Sequence, residues 1–120
     1  MATLIDPDFR ARLRALNDKY AASVPALMQA IAAAQARCDS EGPRLEPLTA
    51  LHHALHAVAG SAATFGFATL GQECRRLEQL ARQLLNEPGN VLAEWPLLST
   101  QVGALLRWAA RDPAATHFTA

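Results

Sequence analysis

Apolar residues along this chain recur at steps of three and four, and almost no stretch alternates with period two. Phe9, Leu13, Leu16, Tyr20, Val24, Leu27, Ile31 and Ala34 therefore share one helical stripe, since each residue advances about 100° around a helix. Pro25 interrupts this run, because proline lacks the amide donor and clashes with the preceding turn, while Ser23 is a good N-cap. The pattern predicts two helices here, over about 7–21 and 24–38. Gly42, Pro43 and Pro47 then mark a loop. A second stripe of Leu48, Leu51, Leu55, Val58, Ala62 and Phe65 predicts a helix over 46–65 that ends at Gly66, a natural C′ residue. Leu70, Cys74, Leu77, Ala81 and Leu84 predict the next over 67–86, closed by Asn86-Glu87-Pro88-Gly89-Asn90. Trp95, Leu98, Val102, Leu105 and Ala109 predict the last over 91–111, stopped by Asp112 and Pro113. Four helices of similar length with short connections give an all-α, antiparallel up-down four-helix bundle, with the 7–21 helix packed over one end. The closing "AATHFTA" reads as a frayed tail or the start of a linker.

Composition adds boundaries to this picture. About half of the 120 residues are apolar, enough for one core, so residues 1–120 are expected to form a single domain. Eleven Lys and Arg balance eleven Asp and Glu without a basic run, so neither nucleic acid nor an anionic membrane is expected as a partner. The start "MATLIDPDFRAR" lacks the basic and apolar blocks of a signal peptide, and no window is apolar for the length of a membrane span. A soluble, cytoplasmic protein is the expectation. Cys38 and Cys74 are too few and too far apart for a disulfide framework, and Cys74 lies on an apolar stripe where a free thiol packs as a small hydrophobe.

The candidate chemistry lies in "LHHALHAVAGSAATFG", residues 51–66. Measured from the Leu51, Leu55, Val58, Ala62 stripe, His56 points about 130° away from the core, His53 almost directly away, and His52 to the boundary. His56 is therefore a solvent-side imidazole. The residues one turn on are Ala59, Gly60 and Ala63, none able to cover the ring. A glycine inside a helix costs about 1 kcal/mol relative to alanine, so Gly60 needs a reason. Two remain open from spacing alone: clearance for an incoming partner beside His56, or close packing against a neighbouring helix.

These residues resemble the histidine-containing phosphotransfer domains of bacterial and fungal phosphorelays. That family's motif has a histidine, an aliphatic residue two later, a glycine four later, small residues, and a second glycine ten later, which here reads His56, Val58, Gly60, Ser61, Ala62, Gly66. The likeness continues through Leu70, Cys74 and "RRLE" at 75–78. The resemblance implies that His56 is the phosphoacceptor and that Gly60 gives clearance. Glu78, at a position on the adjacent helix where some members have a polar residue near the imidazole, either orients the ring by accepting a hydrogen bond from one nitrogen or is a solvated surface glutamate. Many members carry a lysine three residues after the histidine, where this chain has Ala59, and Arg82, one turn after Glu78, is the expected replacement for its charge. The implied partner is the receiver domain of a response regulator or a hybrid histidine kinase, which brings its own magnesium; the chain itself is expected to need no cofactor. The expected docking surface comprises His52, His53, Ala59, Ala63, Thr64 and Gln79, with Phe67 assignable either to that patch or to the core. The resemblance also implies a monomer and a phosphocarrier in two-component signalling rather than a turnover enzyme.

Two other readings bear on the same residues. His52 and His56 have a zinc-chelating spacing, but no carboxylate or cysteine shares their helix face and the "HExxH" pattern is absent, so no metal site is expected. The alternative kept open by Ala59 is a fold of this kind that has lost phosphotransfer and serves as an adaptor or docking module.

Overall fold

The computed structural model describes residues 6–120. Four α-helices account for most of them: α1 (Pro7–Glu41), α2 (Leu45–Ala59), α3 (Ala68–Asn86) and α4 (Val91–Arg111). Short 3-10 turns at Ala62–Phe65 and Pro88–Asn90 lead into α3 and α4. Each helix packs on its chain neighbour and α4 closes against α1, an up-down bundle. Its core is built from Ile31 of α1, Leu48, Leu51 and Leu55 of α2, Leu70 and Leu77 of α3, and Val102 and Leu105 of α4, all fully buried. Cys38 and Cys74 are buried in the same core and unpaired. Burial pushes their thiols up to about 11 and about 12, so both remain protonated, inert hydrophobes.

The first two expected helices are one. Asp6 caps α1, its Oδ1 accepting from the Phe9 N–H at 2.7 Å, and Pro7 occupies the first turn, where no donor is missed. Pro25 sits inside the helix without breaking it. It lies on the exposed face, as does Ala21, whose carbonyl it leaves without a partner, so solvent can serve that oxygen. Val24 just before it and Ile31 after it are buried and hold both sides of the proline to the core. Ser23, expected as an N-cap, instead donates its hydroxyl to the Tyr20 carbonyl at 2.6 Å.

Residues 7–21 consequently do not pack over the bundle end. They prolong α1 beyond it, in a molecule 59 Å long and 25 by 23 Å across, and Phe9, Leu13 and Leu16 remain about half exposed. Tyr20 anchors this part of α1 to the rest: its ring stacks on Phe65 at 5.0 Å and its hydroxyl meets Ser61 Oγ at 2.9 Å.

The second expected helix stops early. α2 ends at Ala59, because Gly60 is followed by Ser61, whose hydroxyl turns back to the Ala57 carbonyl at 2.8 Å. Gly66 then adopts φ +94°, the left-handed conformation that favours glycine, and Phe67 turns inward as a core residue. The C-terminal residues are not frayed either. Trp108 Nε1 donates to the His117 carbonyl at 2.9 Å, Phe118 packs edge-on against Trp108, and Thr69 donates to the Thr116 carbonyl at 3.0 Å.

One glycine was not singled out by spacing and is set by packing. A Cβ on Gly71 would stand 3.4 Å from both the Ala62 Cβ and the Ala63 amide nitrogen, so its absence lets α3 approach the 60–66 turn. Gly71→Leu is expected to destabilise the bundle by about 1–3 kcal/mol through overpacking, measured by urea denaturation.

Candidate functional site

Two adjacent helices build the site. On α2, Leu51, Leu55 and Val58 face the core, which turns His56 outward toward the seam with α3. On α3, Leu77 and Ala81 are fully buried, and Glu78 between them is drawn in with them, its side chain only 5% exposed. A carboxylate so placed must find partners, since an unpaired buried charge is expensive.

Its Oε2 meets three groups. His56 Nδ1 donates to it; His52 Nε2 lies 3.4 Å away and an Arg82 guanidinium nitrogen 3.6 Å away. With the carboxylate accepting at Nδ1, the neutral form of the His56 ring has its proton there and its lone pair on Nε2. The His56 side chain is 64% exposed, so that lone pair faces solvent. His52 is stacked nearly parallel to His56 at 6.1 Å. Burial pushes the His52 imidazole below its ordinary value, the charge of Glu78 opposing and Arg82 adding to the effect. A neutral His52 then accepts from Arg82 at 3.4 Å, and its approach to Glu78 is not an ion pair.

The expected site residues are thus partly regrouped. His56, Glu78 and Arg82 come together, and His53, Ala63, Thr64 and Gln79 are exposed. His52 does not belong to an open docking surface: its side chain is 15% exposed and lies against Glu78 and His56. Ala59 is buried, because it follows Leu55 by four residues and so continues the inward stripe. Gly60 caps α2 instead of lying well inside it. At φ −83° it has a backbone that any residue adopts, and an added Cβ would meet nothing closer than the His56 carbonyl oxygen at 3.5 Å. Neither strain nor packing against a neighbouring helix accounts for this glycine, which leaves the open space one turn after His56. Sequence reasoning missed one contact: Arg75 donates to the Ala59 carbonyl at 3.1 Å. Its position three residues before Glu78, on the same face of α3, was the available signal.

Among the described residues no cluster of three or more His, Cys, Asp or Glu is arranged to hold a metal ion, and no helix is long and apolar enough to cross a membrane.

The family model described as Hpt domain matches residues 15–108. The chain belongs to the Hpt domain family. Hpt domains are phosphocarrier modules of two-component signalling, and the match spans all four helices of the bundle. A 42-residue stretch is 45% identical to the chemotaxis protein CheA of Klebsiella aerogenes, covering 35% of this chain but only 6% of that protein. No solved structure matches.

The two glycines of this region should separate in the laboratory. Gly60→Gln is expected to keep the Hpt fold within about 0.5 kcal/mol of its original stability, as judged by urea unfolding followed by circular dichroism, because the side chain enters solvent.

Proposed function

We propose that this Hpt domain carries a phosphoryl group on Nε2 of His56, taken from the aspartyl phosphate of a receiver domain or from a histidine kinase, and passes it on. The observation that supports this reading is the pairing of an exposed Nε2 with an Nδ1 held by a buried carboxylate.

In the transfer the Nε2 lone pair attacks phosphorus. A new N–P bond forms as the bond from phosphorus to the aspartyl oxygen breaks, and the departing electron pair restores the receiver's carboxylate. The imidazole acquires positive charge during this step. Glu78, accepting from Nδ1–H throughout, stabilises that charge and fixes the ring so that Nε2 points outward. Neutral imidazole is nucleophilic near pH 7, so no separate base is needed. The receiver's magnesium ion, when bound there, supplies charge neutralisation for the moving phosphoryl group. The reverse reaction with a second receiver completes the relay, and the open space beside Gly60 admits each partner in turn.

Incubation with a radiolabelled, phosphorylated receiver domain tests the proposal. Label should reach the native protein and not His56→Gln. Glu78→Gln should accept it more slowly, by about 10- to 100-fold, as expected for weakening a charged hydrogen bond. Binding of the receiver without transfer to either form would favour a docking module instead.

A further inference from the structure

We propose that Arg75 binds the phosphoryl group while it resides on His56, acting as the cation of the site. This rests on the reading of His56 Nε2 as the phosphoacceptor.

Phosphorylation adds a group carrying close to two negative charges near pH 7 beside Glu78, a carboxylate that is already buried. A nearby cation is required to offset that charge. α3 supplies three arginines. Arg76 is paired with Glu73 at 3.0 Å and also donates to Gln101. Arg82, the expected candidate, lies 3.6 Å from Glu78 Oε2 and donates to His52, so its charge is shared with the carboxylate that holds the ring. Arg75 differs from both. No carboxylate of a described residue lies within ion-pair distance of it, and only one terminal nitrogen has a partner, the Ala59 carbonyl.

That contact fixes the location of the guanidinium. Ala59 lies one turn after His56 on α2, and Arg75 lies one turn before Glu78 on the antiparallel α3, so the cation sits across the seam on the Gly60 side of the imidazole. With one nitrogen on the carbonyl, the remaining N–H groups are free for phosphoryl oxygens, a geometry suited to the planar fork of arginine. Ala59 presents no side chain there to compete, since its methyl group is buried. Arg82 is left to balance Glu78 from the other side.

A small-molecule donor isolates this effect from receiver docking. Phosphoramidate transfers its phosphoryl group to an imidazole: its N–P bond breaks, ammonia leaves after taking up a proton, and the N–P bond to Nε2 forms. The initial rate of phosphohistidine formation would be followed in the native domain, Arg75→Ala, Arg75→Gln and Arg75→Lys, with His56→Gln as the background and a thermal unfolding curve for each. A loss of about tenfold in the Ala and Gln variants is expected, with Lys retaining most of the native rate. All three labelling at the native rate would overturn the assignment. So would a loss that follows unfolding temperature instead of charge, since Arg75 would then serve only as a cap on the last carbonyls of α2. A native domain that takes no label above His56→Gln, from phosphoramidate or from a phosphorylated receiver, removes the phosphoacceptor itself and this role with it.

Discussion

The hydrogen bond from His56 Nδ1 to the buried carboxylate of Glu78 is the constraint on which the site depends. It couples α2 to α3, assigns the imidazole proton to one nitrogen, and presents the other to solvent. The bundle makes this bond possible by burying Leu77 and Ala81 on either side of Glu78, which brings a charged group into the interior. The cost of that burial is offset by the His56 N–H and the Arg82 guanidinium gathered around a single oxygen. An exposed histidine without such a partner would have two interchangeable nitrogens and a freely turning ring.

Clearance is the second requirement, and the small residues provide it in different ways. Gly60 leaves exposed space one turn after the imidazole and is demanded by neither conformation nor packing. Gly71 is demanded by packing, because α3 passes close to the turn that follows Gly60. Ala59 faces inward, and its carbonyl anchors Arg75. The surroundings of His56 are therefore made by backbone and by α3 side chains as much as by the α2 residues next to it.

Much of this was legible in the sequence. Apolar spacing located the bundle helices because their inward stripes are continuous, and the angular position of His56 followed from the Leu51–Leu55–Val58 stripe alone. The failures have physical causes. Pro25 suggested a break, but a proline on the exposed face costs little when Val24 and Ile31 clamp the helix from within. The 46–65 stripe stayed apolar beyond Ala59, which concealed a change from α-helix to 3-10 turn made by Ser61 and Gly66. Phe9, Leu13 and Leu16 keep helical spacing yet have nothing to pack on, so periodicity alone could not place them. The contact of Arg75 with a backbone carbonyl leaves no trace in residue types, and the burial of Glu78 depends on how closely α3 approaches α2.

The most direct test of this account is the position of the phosphoryl group on the ring, read by phosphorus and nitrogen NMR of the labelled domain. Phosphorus bonded to Nε2 of His56, with the Nδ1 proton retained, is the predicted result. Phosphorus on Nδ1 of His56, or on His52, His53 or His117, would contradict it.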